Sequence, residues 1–303
     1  MQGMQIMNLS DKRVLFTGAT GLIGKEAIKP LIDNGFDVYA INRNATSEDI
    51  HWIKSDLFDN HNIKAIMQDI KPQYLLNMAW CTTGDYLTSD LNYRFLNSGI
   101  NLLQCFSENG GKRAVFAGTC FEYKFKDAPL KESDDLDPNK TVYTFCKNKL
   151  RETAEYFCEK HNISFGWGRI FYVYGHNEDK TRLTAMVIDK LSKNEPVIIK
   201  SGDLQKDYMY SKDIANAFVR FLDSDVTGVV NVCTGKAIYI HDYVLEIARM
   251  MGKENLVVFQ NQPSNQPPVI VGDNSRLTKE VGYTYNRNMK EALRRVLNSA
   301  KSR

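Results

Sequence analysis

The first half of the chain alternates short apolar runs with amphipathic stretches of helical period. The apolar runs lack the polar alternation of a half-exposed sheet, which indicates strands that are covered on both faces. Predicted strands are Arg13–Phe16, Val38–Ile41, His51–Ile53, Tyr74–Met78, Ala114–Ala117 and Phe165–Ile170. Predicted helices lie near 23–34, 62–69, 93–109 and 143–160. Strands alternating with helices predict an α/β fold with a doubly wound parallel sheet, whose ligands bind at the carboxyl ends of the strands.

Beyond Tyr174 and Gly175 the pattern changes. Helical stretches follow at 182–194, 213–222, 240–251 and 289–299, separated by brief strand candidates and by a segment rich in Pro, Gln and Asn at 260–268. This pattern is typical of a smaller α/β domain that covers the ligand edge of a sheet. We therefore predict a sheet domain at 1–174 and a smaller one at 175–303, with room for some of the later chain to return to the first.

Composition narrows the function classes. The 303 residues carry a net charge of +3 and no Lys/Arg-rich block, which argues against a nucleic-acid partner. The first ten residues lack a basic region before an apolar run, and no stretch reaches the roughly 18 apolar residues of a membrane span. We expect a cytoplasmic protein with no membrane partner. The six cysteines show no C-x-x-C spacing, so reduced thiols and no metal site are expected.

A glycine-rich turn, T-G-A-T-G-L-I-G at 17–24, joins the first strand to the first helix. Glycine permits the turn and lets backbone approach a pyrophosphate, while free N–H groups at the start of a helix bind the anion. The turn thus predicts a dinucleotide site, the alternative being a tight turn without a ligand. Its candidate cofactor residues are Gly18, Thr20, Gly21, Leu22, Ile23 and Gly24.

The end of the second strand bears on which dinucleotide binds. An acidic residue there would hold the ribose hydroxyls of NAD, whereas an arginine accommodates the extra phosphate of NADP. The chain has Asn42 and Arg43, which favours NADPH over NADH or NAD unless Arg43 is only a solvated loop charge. Asp56 and Leu57 follow the third strand, where a carboxylate would accept from the adenine amino group or simply begin a helix.

Tyr143 and Lys147 lie four residues apart, so on a helix both face the same way. A nearby ammonium and a positively charged nicotinamide would bring a tyrosine pKa from about 10 toward neutrality and make the phenol a usable acid or base. Thr119 ends the fifth strand, where its hydroxyl would bind a substrate carbonyl. Taken singly, the pair would be interpreted as a surface contact at ordinary helix spacing, and Thr119 could equally cap a turn. Together with the glycine turn they predict hydride transfer.

Five segments resemble those of extended short-chain dehydrogenases/reductases of the NAD-dependent epimerase/dehydratase type. They are T-G-A-T-G-L-I-G (17–24), G-T-C-F-E-Y (118–123), Y-T-F-C-K (143–147), R-I-F-Y-V-Y-G (169–175) and K-D-Y-M-Y-S-K-D-I-A (206–215). The resemblance implies a Rossmann-type sheet, a sugar-nucleotide substrate bound by the smaller C-terminal domain, and a catalytic set of Thr119, Tyr143 and Lys147. Cofactor contacts from Tyr143, Lys147 and Ala79 are implied too, as is a homodimer formed through the helices at 93–109 and 143–160.

Departures from the family pattern separate its reactions. Dehydratases follow the catalytic Thr with an Asp-Glu pair, whereas Cys120 and Phe121 follow Thr119, so dehydration is not expected. The segment L-L-N-M-A-W at 75–80 resembles the branch of 4-ketoreductases of deoxysugar nucleotides. That resemblance implies NAD(P)H-dependent reduction of a CDP-, dTDP- or GDP-linked 4-keto-6-deoxysugar. A redox-neutral 4-epimerase that retains NAD is the alternative, and a non-catalytic dinucleotide-binding regulator is a more distant one.

A sugar nucleotide carries a diphosphate, so its site should offer cations. The family pattern carries substrate contacts onto six residues: Trp80, Glu122, Tyr172, Arg182, Lys206 and Tyr208. Each is equally interpretable as a surface charge, a loop carboxylate or a core aromatic residue. Many relatives have an arginine in the segment equivalent to 261–268 and another in place of Lys206, and this chain has neither. A lysine keeps the charge without the bidentate geometry of a guanidinium.

Overall fold

The computed structural model describes residues 12–44, 49–137, 139–260, 262–264, 266–285 and 287–301. The segment 1–10, on which the expectation of no signal peptide rests, lies outside them. Contacts divide the described chain into two compact units. The first unit holds the described residues of 1–118, 138–168 and 215–229, and the second those of 119–137, 169–214 and 230–303. Each unit is thus assembled from several separate stretches of the chain. The division into a sheet domain at 1–174 and a smaller domain at 175–303 stays a prediction.

The main sheet has seven strands and is of the Rossmann type. In chain order the strands of the described residues are β1 (Arg13–Thr17), β2 (Asp37–Asn42), β3 (His51–Lys54), β4 (Tyr74–Asn77), β5 (Arg113–Thr119), β6 (Ser164–Ile170), β7 (Tyr172–Tyr174), β8 (Val197–Ile199), β9 (Gln205–Lys206), β10 (Tyr208–Tyr210), β11 (Gly228–Val232), β12 (Ile238–Tyr239), β13 (Val257–Phe259) and β14 (Val269–Ile270). The sheet order is β11-β6-β5-β4-β1-β2-β3, and the strands from β3 to β5 pair in parallel. The order reverses between β1 and β4, the topological switch point at which such sheets bind ligands.

The helices follow the predicted periodicity closely. They are α1 (Gly24–Asp33), α2 (Asn60–Ile70), α3 (Leu91–Glu108), α4 (Val142–Lys160), α5 (Leu183–Ser192), α6 (Ser211–Leu222), α7 (Ile240–Met251), α8 (Ser275–Lys279) and α9 (Met289–Lys301). The five-residue α8 was not predicted because it is too short to show a period. Within the described ranges, none of these helices combines the length and hydropathy needed to cross a bilayer.

The core of the first unit fixes the position of α4, the helix that carries Tyr143 and Lys147. Leu150, Ala154 and Cys158 on α4 are buried in the cluster that contains the side chains of β5 and β6. Gly99 on α3 faces Leu150, and a Cβ atom at that position would lie 2.8 Å from both Leu150 methyl carbons. The missing side chain therefore lets the two helices pack closely.

Arg113 at the start of β5 anchors the stretch 215–229 to the first unit. Its guanidinium donates to the backbone carbonyls of Phe221 (2.6 Å), Leu222 (2.8 Å) and Val226 (2.8 Å), and to the Ser164 hydroxyl (2.6 Å). Burial lowers the pKa of Arg113 to about 10, against the raising effect of nearby carboxylates. The observed strand β5 thus begins one residue before the predicted one, at a buried arginine to which the returning chain binds.

The second unit contains small sheets and its own core. Strand β10 pairs with β7, β13 pairs with β8, and β9 lies between β12 and β14. Its larger core cluster is rich in aromatic residues, including Tyr174, Tyr210 and Tyr243. A smaller cluster surrounds Tyr123 and Phe171. Of the short strands that follow β6, these seven lie in small sheets of their own, whereas β11 joins the main sheet.

Candidate functional site

The turn after β1 requires its glycines for steric reasons. Gly18 has a φ of +81°, and a Cβ atom there would lie 2.7 Å from the backbone nitrogen of Ala79. The Gly21 N–H donates to the Gly18 carbonyl at 3.0 Å, and a Cβ atom on Gly24 would overlap that same carbonyl. The turn is therefore pressed against the end of β4, at the switch point of the sheet.

A cavity of about 470 Å³ opens beside this turn. Its walls come from the carboxyl ends of β1, β2 and β4, from the loop after β3 and from the start of α3. The cavity brings together eight of the predicted cofactor residues: Gly18, Thr20, Gly21, Asn42, Arg43, Asp56, Leu57 and Ala79. Leu22, Ile23 and Gly24 continue from the turn into α1. The volume is within the range of small-molecule sites, and the glycine turn at the switch point fits a dinucleotide pyrophosphate.

The polar side chains at the rim of the cavity differ in their hydrogen bonds to the rest of the protein and in their exposure. The Asn42 side chain donates to the backbone carbonyl of Asn44, which ties it to its own loop. Arg43 is exposed and lines the cavity. Asp56 is exposed too, and one of its oxygens accepts the Phe58 N–H at 3.0 Å. Arg43 is thus the cation that the end of β2 presents to a ligand.

One wall of the cavity is aromatic, and the sequence reasoning missed most of it. The Arg94 guanidinium lies 4.1 Å from the centre of the Phe58 ring, which contacts Phe95 edge-on at 5.0 Å. Phe95 in turn stacks on Trp80 at 5.2 Å. Residues 91, 94 and 95 of α3 all line the cavity, and their helical spacing is the signal that would have found them.

Tyr143 and Lys147 lie on the first two turns of α4. Thr141 caps the helix, since its hydroxyl accepts the Thr144 N–H at 3.1 Å and the Thr144 hydroxyl accepts the Thr141 N–H at 2.9 Å. Both functional side chains are buried, and the Lys147 ammonium donates to the Ala117 carbonyl of β5 at 2.7 Å. The pair is therefore held at the sheet and is not the surface contact that spacing alone would allow.

Thr119, the last residue of β5, is held by a buried ion pair. Its N–H donates to one oxygen of Glu122 at 2.9 Å, and the other oxygen accepts the Arg169 Nε–H at 2.7 Å. The Thr119 hydroxyl accepts the Phe121 N–H at 3.2 Å, which caps the turn at Cys120–Glu122 and leaves the hydroxyl proton for donation. Glu122 is fully buried, with its two oxygens on the Thr119 N–H and the Arg169 guanidinium, and its substrate contact stays a prediction.

Three of the predicted substrate residues lie together in the second unit. The Tyr172 and Tyr208 rings are 5.5 Å apart, and the Lys206 ammonium lies 5.5 Å from the Tyr172 ring. Tyr208 also stacks on Tyr243 at 4.4 Å, and burial raises its pKa well above the ordinary value. Lys206 donates to the Pro267 carbonyl at 3.1 Å. Tyr172 is the most exposed of the three, so it is the one best placed to line a pocket.

Arg182 lies elsewhere in the same unit, at the residue that precedes α5. It is half-buried and close enough to Glu178 for its charge to stabilise that carboxylate. Burial nevertheless raises the pKa of Glu178 to about 7, against the lowering effects of the Gly175 N–H and Arg182. The sequence pattern did not indicate a buried acid next to Arg182, a predicted substrate-binding residue.

Comparison with protein families shows which family the chain belongs to. The model described as the NAD dependent epimerase/dehydratase family matches residues 14–233, which include the glycine turn, Thr119, Tyr143 and Lys147. The chain belongs to this family. The epimerase/dehydratase resemblance of the motifs is thereby confirmed, and the description of the family specifies NAD as its cofactor.

Relatives within the family act on sugar nucleotides in different ways. A putative UDP-glucose 4-epimerase of Methanocaldococcus jannaschii is 23% identical over 95% of this chain and 98% of its own. A dTDP-6-deoxy-L-talose 4-dehydrogenase (NAD(+)) of Aggregatibacter actinomycetemcomitans is 27% identical over 74% of this chain and 84% of its own. A CDP-abequose synthase of Salmonella typhimurium is 22% identical over 96% and 99%. Together they indicate an enzyme of nucleotide-sugar modification.

The epimerase/dehydratase fold extends over nearly the whole chain. The solved UDP-glucose 4-epimerase of Thermotoga maritima, crystallised with UDP-glucose, superimposes with a TM-score of 0.86 over 96% of this chain and 99% of that one. The two sequences are 19% identical. This likeness confirms the Rossmann-type fold class that the alternating pattern predicts.

Proposed function

We propose that this protein reduces the 4-keto group of a nucleotide-linked 6-deoxysugar, with Thr119, Tyr143 and Lys147 as its catalytic residues. The observation that carries the proposal is the buried Tyr143 and Lys147 pair at the start of α4, with the lysine ammonium fixed on the Ala117 carbonyl. A phenol and an ammonium on one helical face are the groups needed to deliver a proton to a developing alkoxide.

The proton transfer follows from the placement of these side chains. A bound reduced nicotinamide supplies the hydride that adds to C4 of the sugar. As hydride adds to C4, Tyr143 donates its hydroxyl proton to the carbonyl oxygen, which becomes a hydroxyl group. The resulting phenolate takes up a proton from solvent. Lys147 stabilises the phenolate and would hold a ribose hydroxyl, and Thr119 donates a hydrogen bond to the same carbonyl oxygen.

Net reduction is favoured by two departures in the sequence. Cys120 and Phe121 follow Thr119 where dehydratases have acids, which leaves no side chains for elimination at those positions. Arg43 at the cavity rim favours NADPH, which binds and leaves in each cycle, because a cation there would pair with the extra phosphate. The names of the A. actinomycetemcomitans and S. typhimurium relatives are consistent with chemistry at C4 of a deoxysugar.

A redox-neutral 4-epimerase is the second candidate. It is favoured by the names of the M. jannaschii relative and of the T. maritima structure, and by a family whose description specifies NAD. Such an enzyme keeps its NAD bound through the cycle. A cytoplasmic location, a homodimer and substrate contacts by Trp80, Tyr172, Arg182, Lys206 and Tyr208 belong to either proposal.

The test is a panel of CDP-, dTDP- and GDP-linked 4-keto-6-deoxyhexoses assayed for oxidation of NADPH and of NADH. We expect one NADPH consumed per sugar reduced, with NADH slower. Tightly copurifying NAD together with interconversion of UDP-glucose and UDP-galactose without added cofactor would replace the reductase with the epimerase.

Tyr143→Phe should abolish turnover, with a loss of at least a hundredfold, while NADPH binding measured by fluorescence stays within about threefold of the wild type. Tyr156→Phe is the matched control, because Tyr156 lies on the same helix with 65% of its surface exposed. Retained turnover in Tyr143→Phe would remove Tyr143 from the proton-transfer role.

A further inference from the structure

Trp80 is fixed in orientation on two sides. Its indole N–H donates to the Asn92 side-chain oxygen at 2.7 Å, and the buried Asn92 amide donates in turn to the Tyr86 and Ser89 carbonyls, each at 2.7 Å. Phe95 stacks on the indole at 5.2 Å with an interplanar angle of 22°. These contacts leave the ring little freedom to rotate.

The fixed indole lies over the lysine of the proposed catalytic pair. The Lys147 ammonium is 3.8 Å from the centre of the Trp80 ring, and the Trp80 and Tyr143 rings meet edge to face at 6.1 Å. A second indole, Trp167, lies 5.8 Å from the same ammonium. An ammonium over an aromatic face is attracted by the ring quadrupole, and more strongly where water is excluded. Lys147 is 4% exposed, so the interaction operates away from solvent.

We propose that Trp80 is a positioning residue for Lys147: its ring face holds the charged ammonium on the Ala117 carbonyl, one helical turn from Tyr143. The family pattern suggested only that Trp80 contacts the sugar. The catalytic consequence rests on the proposed function, whereas the charge and position of Lys147 do not. The titratable neighbours among the described contacts are Tyr143 on the same helix and Tyr86, whose ring lies 5.2 Å from that of Tyr143.

The direct test measures the titration of the Lys147 amine by competitive labelling with acetic anhydride at a series of pH values, read by mass spectrometry. In Trp80→Leu the ammonium loses its aromatic partner, so we expect titration about one pH unit lower, which is roughly a tenfold higher labelling at a given pH below the transition. Trp80→Phe keeps a smaller ring and should fall between the two. Trp52→Leu on β3, away from Lys147, is the control and should match the wild type.

The kinetic test uses the same variants. We expect kcat to fall about tenfold in Trp80→Leu, with a smaller fall in Trp80→Phe and with NADPH affinity changed less than kcat. An unchanged Lys147 titration in Trp80→Leu would overturn the proposal, as would an equal shift in Trp52→Leu. If Trp80→Leu fails to fold, the decision passes to Trp80→Phe, which keeps a smaller ring face, and to Asn92→Ala, which removes the hydrogen-bond partner of the indole and leaves the indole in place. The labelling needs no substrate, so absence of turnover in the wild type would count against the reductase alone.

Discussion

The two units each bury a lysine, and the two lysines have similar immediate surroundings. Lys147 in the first unit is 4% exposed and Lys206 in the second is 1% exposed. Each ammonium donates to a backbone carbonyl, that of Ala117 at 2.7 Å and that of Pro267 at 3.1 Å. Each also lies near an aromatic ring. Burial and hydrogen bonding alone therefore do not distinguish a catalytic lysine from a structural one.

The two lysines differ in the secondary structure that carries them and in the other groups near each ammonium. Lys147 lies on a helix one turn after a phenol, with a ring face at 3.8 Å, close to the cavity at the switch point. Lys206 lies in the two-residue strand β9, which pairs with β12 on one side and with β14 on the other. Its ammonium lies 5.5 Å from the centre of the Tyr172 ring. Its ammonium ties β9 to the segment before β14. The two surroundings differ accordingly: Lys147 lies beside the proposed proton donor, and Lys206 joins two parts of its unit.

Replacing each lysine by methionine tests this comparison most strongly. Lys147→Met removes the charge beside Tyr143, and we expect kcat to fall about a thousandfold with little change in the melting temperature. Steady-state kinetics at saturating cofactor provide the measurement. Lys206→Met should retain kcat within about threefold. Equal losses of kcat in both variants would end the distinction between the two lysines.

The second unit also buries a cation that has a carboxylate partner. Arg169 pairs with Glu122 at 2.7 Å, both side chains being almost inaccessible, and Glu122 raises the pKa of Arg169 despite the opposing effect of burial. Glu122→Ala leaves the guanidinium unpaired, so we expect a loss of about 3–5 kcal/mol in the free energy of unfolding. Denaturant titration measures it. Glu132→Ala offers a comparison, because Glu132 lies in the same region and accepts the Asn231 N–H at 2.9 Å. A loss no larger than that of the comparison variant would show that the ion pair is dispensable.

Lys206→Met should cost less, about 1–3 kcal/mol, because it leaves the Pro267 carbonyl without this donor. The KM for the nucleotide sugar separates the two roles open to Lys206. A KM within threefold of the wild type fits the structural role. A rise of tenfold or more, with unchanged stability, would show that Lys206 binds the substrate phosphate, as the family pattern implies.

The sequence predicts the first unit much better than the second, for a physical reason. The strands from β1 to β6 and helices α1 to α4 carry uninterrupted periodic signals, and the turn at Gly18 needs glycine for backbone reasons that are local to the motif. In the second unit, strands of two or three residues such as β9 and β14 show no period. Their pairing depends on partners about sixty residues away, which no local pattern encodes.

The same limit applies to side-chain roles. The spacing of Tyr143 and Lys147 predicts a shared helical face, and the structure shows both on the first turns of α4. The burial of Glu122 depends on Arg169, which lies 47 residues later, so its task could not be derived from the loop sequence alone. Residues whose role comes from nearby spacing are predictable, whereas those whose role comes from a distant partner are not.

The smallest predicted effect extends the comparison from buried cations to two adjacent acids of the second unit. Burial raises the pKa of Glu178 to about 7, whereas the side chain and N–H of Thr181 lower the pKa of the exposed Asp179. An unfolded Glu titrates near 4.3, so the folded chain binds the Glu178 proton more tightly and loses stability as the pH rises from about 4.3 through 7. Glu178→Gln should therefore raise the free energy of unfolding at pH 8 and change it little at pH 4.

Asp179→Asn is the matched control with the opposite sign. The stability that Asp179 contributes is present above its unfolded pKa, near 3.9, and is lost as the pH falls through its lower folded value. Its replacement should therefore lower stability slightly at pH 8. Urea titrations of both variants at pH 4, 6 and 8 provide the comparison. Curves that shift in the same direction for Glu178→Gln and Asp179→Asn would mean that burial does not set the charge preference of Glu178.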